Sequence, residues 1–139
     1  MARKGKRVTV ARREAPSYLA KAEQFLQEAS SAINASRADA AMLNAIHAAL
    51  SAADAVATAL AGQRSADPDH ARSADLLEEL AGGSAEVRGH ARQLRALLAR
   101  KNVVEYESRR AAAGEARDAV ARAGRLVDWA REVVRAAIP

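Results

Sequence analysis

Three polar side chains that could hold a phosphodiester lie close together in the sequence, at Lys101, Asn102 and Tyr106. A lysine ammonium binds phosphate as a point charge, and an amide and a phenol can each hydrogen-bond to its oxygens. A phenol stays protonated at neutral pH, so it is a poor general base. The stretch RKNVVEYESRR (100–110) therefore indicates either a phosphate-handling site or the end of a helix.

Arginines precede and follow these three residues and enlarge the basic surface around them. If one helix continued through the stretch, Arg88, Arg92 and Arg95 would share a face with Asn102 and Tyr106. Such a face can be solvated and paired with acids of neighbouring helices, or it can bind RNA. The predicted RNA-binding residues are Arg88, Arg92, Arg95, Arg100, Arg109 and Arg110.

The elements that position these residues are predicted to be helices. Apolar residues recur at steps of three and four, the period of an amphipathic helix, and no segment alternates with a period of two. We therefore expect an all-α fold, an antiparallel bundle of about five helices with short loops. The apolar stripes run from Leu19 to Ile33, Leu43 to Leu60, Leu76 to Leu80, Val87 to Leu98 and Ala116 to Val134.

Polar residues between the stripes predict where the helices begin and end. Ser36 and Asp39 resemble a capping box, and Asp67 before a proline predicts a third helix over about 68–81. Ser84 is expected to cap the fourth helix. The fourth stripe steps on from Leu98 to Lys101, which predicts that this helix continues into the candidate site.

The net charge of +5 is concentrated at the N-terminus. Residues 1–13 contain six basic side chains and no acid, whereas the other 126 residues carry a net charge of about −1. We predict a disordered basic tail over 1–15 and a bundle over 16–139; such a tail either aids solubility or attracts phosphates. The six basic residues are Arg3, Lys4, Lys6, Arg7, Arg12 and Arg13.

Composition excludes several classes of protein. The chain has no cysteine, so we expect neither disulfides nor a thiolate metal site. No stretch is expected to cross a membrane, and a cytoplasmic location is predicted. Half of the residues are hydrophobic, but alanine supplies many of them and only four residues are Phe, Trp or Tyr. This composition favours close helix packing, and a homodimer would bury further apolar surface.

Three segments together resemble the HEPN domains. They are NAIHAALSAADAVATALAG (44–62), DPDHARSADLLEEL (67–80) and LRALLARKNVVEYE (94–107). With the last helix they cover about 40–135. The resemblance implies a small all-α bundle that is commonly dimeric, with a motif near the end of the penultimate long helix.

Active proteins of that family resemble metal-independent ribonucleases built on an arginine, a polar residue, a spacer and a histidine. By this resemblance Lys101 stands at the arginine position, Asn102 at the polar position and Tyr106 at the histidine position. The residues at the arginine and histidine positions both differ from those of the family, and Ser108 stands where the family has a further tyrosine. An alternative alignment places Arg100 at the arginine position and Glu105 at the histidine position, where a carboxylate could act as a base.

We therefore expect an RNA- or nucleotide-binding protein with a degenerate ribonuclease site. The alternatives are an active metal-independent endoribonuclease, which would be toxin-like, and a non-catalytic protein-interaction module of a toxin and antitoxin pair. The resemblance also implies a nucleotidyltransferase-type partner protein. No cofactor or metal is expected, since no phosphate-binding glycine loop or metal motif is present in the sequence.

Five further residues could have a role outside this site. His47, His70 and His90 are interpreted as packing or surface residues, because none has partners arranged as a metal motif. Asp54 is expected either to be exposed or to form a salt bridge with Lys101 or an arginine across the bundle. Trp129 is interpreted as a core or dimer contact.

Overall fold

The computed structural model of the chain describes residues 5–139 and confirms the all-α fold. Within these residues, six helices follow one another with short connections, and two strands of three residues each pair beside them. The helices are α1 (Ala15–Asn34), α2 (Ala38–Ala61), α3 (Arg72–Ala81), α4 (Ala85–Leu98), α5 (Lys101–Tyr106) and α6 (Ala113–Ala137). The strands are β1 (Arg7–Thr9) and β2 (Gln63–Ser65).

Helix α2 lies at the centre of the bundle and contacts all five other helices. Most of its buried residues are alanines, whose small side chains let the backbones of α1 and α6 approach closely. Larger apolar side chains fill the remaining space, and the most deeply buried include Met42, Ile46, Leu77, Leu94 and Leu126. The alanine-rich stripes are therefore buried within a single chain.

Helix α2 also corrects the expectation that no stretch could cross a membrane. By length and composition it is apolar enough to do so, with a mean hydropathy of 1.3 over its most apolar window. However, 61% of that window is buried inside the bundle. Its apolar composition is accounted for by burial against the surrounding helices, as in a core helix.

Two of the predicted helix starts are wrong, and one is confirmed. Ser84 does cap α4, since its side chain accepts a hydrogen bond of 3.2 Å from the Val87 amide. The capping box at Ser36 does not form. Asp39 instead accepts a 2.8 Å hydrogen bond from the Ala111 amide, which connects the start of α2 to the segment before α6.

Helix α3 begins later than predicted because Asp67 is used elsewhere. Its buried carboxylate accepts hydrogen bonds from the backbone amides of Asp69, at 2.8 Å, and Lys6, at 2.9 Å. The first of these bonds forms a turn that keeps 67–71 out of the helix. The helix starts only at Arg72.

The predicted continuation of α4 into the candidate site is also wrong. Helix α4 ends at Leu98, residues 99 and 100 form a turn, and α5 begins at Lys101. Neither turn residue is glycine or proline, so the sequence carries no local signal for this break. Because the two helices are separate, Lys101 does not extend the buried stripe of α4.

From Gly5 onward the structure describes an ordered segment where a disordered tail over 1–15 was predicted. Strand β1 pairs antiparallel with β2, and the Val10 amide donates a 2.8 Å hydrogen bond to the Gly62 carbonyl. Gly62 has a φ of 62°, and a Cβ there would lie 2.9 Å from the Val10 carbonyl oxygen, so glycine is required. The predicted basic residues Arg3 and Lys4 lie outside the described residues.

Side chains add to this attachment of the N-terminal segment. The Arg12 guanidinium donates a 2.8 Å hydrogen bond to the Ala59 carbonyl near the end of α2, and Arg7 pairs with Glu79 of α3. Arg7 and Arg12 were predicted to lie in a disordered tail. They are ordered here, and their guanidinium groups reach a carboxylate and a carbonyl of the bundle.

We predict that Arg12→Ala lowers the free energy of unfolding by about 1 kcal/mol, since it leaves the Ala59 carbonyl without this donor. The matched control is Arg13→Ala, which removes the neighbouring exposed arginine and should change stability by less than about 0.5 kcal/mol. Urea unfolding followed by circular dichroism measures both. Equal effects of the two substitutions would show that the Arg12 contact does not stabilise the fold.

Candidate functional site

Helix α5 places the three predicted catalytic residues on one cavity. Lys101, Asn102 and Tyr106 line a space of about 630 Å³ between α5, the end of α4 and the segment before α3. Arg95 and His70 line the same cavity. The structure therefore brings together all three residues, although they lie on a separate short helix and not on a continued α4.

The charge of Lys101 is matched by an acid one helical turn away. Its Nζ lies 2.6 Å from the Glu105 carboxylate, and the two side chains are only 16% and 18% exposed. The hydrogen bond from Lys101 holds the pKa of Glu105 below its usual value. Glu105 is therefore a weak base, which disfavours the alignment in which it replaces the family's histidine.

Asn102 and Tyr106 are accessible to a ligand. Asn102 is exposed, and Tyr106 is 78% exposed, the largest value among the large hydrophobic side chains that the structure describes. Because both lie on the cavity one turn apart, an amide and a phenol could contact the same bound group. Their positions fit hydrogen bonding to a phosphate or a base.

The arginines of α4 differ in how far their charges are compensated. Arg95 is held by two acids of α3, with distances of 2.8 Å to Asp75 and 2.5 Å to Glu78. Arg88 donates to the carbonyl of Gly83. Arg92 is exposed and has no hydrogen bond or ion pair with any described residue. Of the three, Arg92 is the most available to a phosphate.

The other three predicted RNA-binding arginines pair within the chain near the start of α6. Arg100 and Arg109 lie 3.6 Å and 2.9 Å from the Glu115 carboxylate, and Arg110 lies 3.4 Å from Asp39. The Ala112 amide and Arg109 keep the pKa of Glu115 below its usual value. The Arg109 and Arg110 pairs connect the loop after α5 to α6 and α2, and the Arg100 pair connects the turn before α5 to α6. They therefore have a structural role whether or not RNA binds.

Two histidines that the sequence analysis assigned to packing or the surface lie at the site. His70 lines the cavity with Lys101, and His47 lies near enough for the Lys101 charge to help lower its pKa, after the larger effect of burial. No spacing in the sequence could reveal this, because the residues come from different elements. His90 does pack, stacked at 4.3 Å on the buried ring of Trp129.

Asp54 forms neither of the expected arrangements. It is neither fully exposed nor paired with Lys101, whose partner is Glu105. It lines a second cavity of about 450 Å³ next to the first, and burial raises its pKa to about 7. The positive charges of Arg64 and Lys21 limit that increase.

Within residues 5–139, no group of three or more histidine or acidic side chains is arranged to hold a metal ion. The groups at the first cavity that can bind a phosphate are an ammonium, a guanidinium, an amide, a phenol and an imidazole, and the imidazole can also move a proton. The carboxylate of Asp69 lines the same cavity.

A comparison with protein families decides what kind of domain carries this site. The family model for the HEPN domain matches residues 15–133, which is most of the chain. The chain belongs to the HEPN family. No curated protein matches it. The matched range runs from the first residue of α1 into the last turns of α6, so it includes α1 to α5, most of α6 and both cavities.

Membership of the HEPN family confirms the resemblance inferred from the three sequence segments. It leaves the motif assignment of Lys101, Asn102 and Tyr106 as a prediction. The geometry adds that these HEPN residues share their cavity with His70, a residue outside the motif. The site is therefore larger than the motif alone indicates.

We predict that Asp54→Asn stabilises the protein more at pH 8 than at pH 5. The native state holds the Asp54 proton more tightly than the unfolded chain does, so this group contributes stability below about pH 4 that is lost as the pH rises through 7. The asparagine variant has no charge to bury at pH 8. Melting temperatures at both pH values, by circular dichroism, measure the difference.

The control for this experiment is Asp128→Asn, which removes an exposed carboxylate of α6. Its effect should be nearly the same at pH 5 and pH 8. The comparison also subtracts His47 and His90, whose lowered pKa values make stability rise over the same pH range. A pH-independent effect of Asp54→Asn would contradict the burial of an ionisable carboxyl.

Proposed function

We propose that this HEPN protein binds RNA or a nucleotide at the cavity of α5 and that its ribonuclease motif is degenerate. The observation that supports the proposal is the shared position of Lys101, Asn102 and Tyr106 on one cavity with Arg95 and His70. The phosphate would contact the Lys101 ammonium, while the amide and phenol hydrogen-bond to its oxygens or to the base.

The contacts of Lys101 and Tyr106 support a degenerate motif. Lysine lacks the bidentate fork of arginine, and here its ammonium already binds Glu105 at 2.6 Å. A tyrosine at the histidine position supplies no base at neutral pH. Phosphate binding therefore requires Lys101 to lose part of its contact with Glu105, and we expect a lower affinity than at a site with arginine.

We further propose that the protein forms a homodimer in the cytoplasm, with α5 near the interface. Among the described residues, the large hydrophobic side chains that remain exposed are Val8, Leu60 and Tyr106, and Tyr106 is by far the most exposed. Two copies that meet near α5 would cover it and pair two cavities. A nucleotidyltransferase-type partner, or another protein of a toxin and antitoxin pair, could cover the same surface.

One observation favours a second candidate function, an active metal-independent endoribonuclease. His70 lines the same cavity as Lys101, so an imidazole is present even though the motif lacks its histidine. It could accept the proton of a ribose 2′-hydroxyl while that oxygen attacks the phosphorus to form a 2′,3′-cyclic phosphate, and the departing 5′-oxygen takes a proton from water. Lys101 would then stabilise the negative charge on the phosphoryl oxygens.

We predict that Lys101→Ala weakens retention of single-stranded RNA in a filter-binding assay and lowers the salt slope by about one counterion. Assays at two salt concentrations measure both quantities. Since the substitution strands Glu105, the double variant with Glu105→Ala separates the lost cation from the stranded acid. Arg125→Ala, which removes an exposed cation of α6, is the control.

The single and double variants should both bind more weakly than the parent, and the α6 variant should bind RNA nearly as well. If the double variant recovers full affinity, Lys101 does not contact phosphate. If the parent retains no RNA even at low salt, the proposed function is wrong and the protein-interaction alternative stands.

We predict that the parent protein does not cleave RNA in the presence of a metal chelator, whereas the double variant Lys101→Arg, Tyr106→His does. This variant restores the fork of arginine and a base that titrates near neutral pH at the two motif positions. Gel analysis of a labelled oligonucleotide measures cleavage. Cleavage by the parent that His70→Ala abolishes would instead support the second candidate function.

A further inference from the structure

The second cavity is adjacent to the first, since Pro68 and His70 line both. Its volume of about 450 Å³ lies within the usual range for small-molecule sites. Its lining includes a stripe of α2 with His47, Ser51 and Asp54, and Arg64 of β2. A ligand in the first cavity could therefore extend into the second.

Asp54 is a polar group of this cavity without a bonded partner among the described residues. Its carboxyl has no hydrogen bond and no ion pair with any described residue, although it is only partly exposed. The nearest compensating charges, on Arg64 and Lys21, act on it electrostatically without a bond. An ionised carboxylate only accepts hydrogen bonds, so these oxygens are suited to a ligand with N–H donors.

Arg64 supplies donors to the same cavity. Its guanidinium makes one hydrogen bond, of 3.3 Å, to the neighbouring Ser65 carbonyl, and it pairs with no acid among the described residues. An acceptor group and a donor group therefore face one space. The ligand that fits them needs two adjacent donors next to an acceptor.

We propose that the second cavity binds a guanine base, with its N1–H and exocyclic amino group donating to Asp54 and its O6 accepting from Arg64. This rests on the proposed function, because the phosphate of the same nucleotide would lie at Lys101 in the first cavity. Guanine is the one RNA base whose pairing edge presents two adjacent donors beside an acceptor. Uracil presents one donor between two acceptors, which the Asp54 carboxylate repels.

The remaining walls fit a flat heterocycle. The imidazole rings of His47 and His70 can stack on a base, as aromatic side chains do in RNA-binding proteins. Leu50 and Pro68 add apolar surface. Since Pro68 and His70 belong to both cavities, they would lie beside the ribose that joins base to phosphate.

The test is calorimetric titration of the full chain with GMP, AMP, CMP and UMP at pH 8. We expect GMP to bind at least about tenfold more tightly than UMP, the usual scale for a correctly read base. Asp54→Asn should remove this preference, because an amide presents one donor and one acceptor. The matched control Asp128→Asn changes a carboxylate outside both cavities and should keep it.

A pH series with guanosine, which carries no phosphate to titrate, gives an independent readout. Because burial raises the pKa of Asp54 to about 7, its ionised form and the affinity should increase about tenfold from pH 6 to pH 8. The other charged groups facing Asp54 are Lys21, Arg64, Asp67, His47 and His70. If the affinity of Asp54→Asn for guanosine increases as steeply with pH, the effect comes from the histidines and the proposal is overturned.

The outcomes distinguish this proposal from the proposed function. Equal binding of the four nucleotides, unaffected by Asp54→Asn but weakened by Lys101→Ala, overturns the guanine site and leaves the phosphate site. Retention of RNA without measurable GMP binding also overturns the guanine site. Failure to bind both RNA and GMP overturns both proposals.

Discussion

The close packing of α2 against α1 and α6 is the constraint on which the rest of the structure depends. Alanines at most of the buried positions of α2 allow this approach, and they leave few large side chains to fill the core. A helix packed so tightly on most sides cannot adjust when other elements are added. The peripheral segments α3, α5 and β2 therefore fit around α2, and the second cavity lies where they fail to cover it.

The uncovered part of α2 is a polar stripe in an otherwise apolar helix. His47, Ser51 and Asp54 are spaced by four and three residues, so they share one face, and all three line the second cavity. A stripe of this composition weakens the packing of a core helix, because a buried carboxyl must either stay protonated or carry an uncompensated charge. Local costs of this kind are concentrated at functional sites.

Sequence reasoning predicted the helices well and their connections poorly, for physical reasons. The period of the apolar residues follows from burial of one helix face, so α1, α2, α4 and α6 could be recognised. The break between α4 and α5 has no glycine or proline to signal it. The late start of α3 follows from the turn in which the Asp67 carboxylate accepts a hydrogen bond from the Asp69 amide. The same carboxylate also accepts from the distant Lys6 amide, a contact that no local pattern predicts.

The sequence predicted the motif residues of the candidate site, but it did not reveal the residues that other elements contribute. Lys101, Asn102 and Tyr106 are close in sequence, whereas His70 comes from the segment before α3 and Asp54 from α2. The electrostatics show the same division. Most cations near the motif, such as Arg95 and Lys101, are paired with acids of the chain. Asp54 of α2 and Arg64 of β2 form no ion pair with a described residue, so they have hydrogen-bonding capacity left for a ligand.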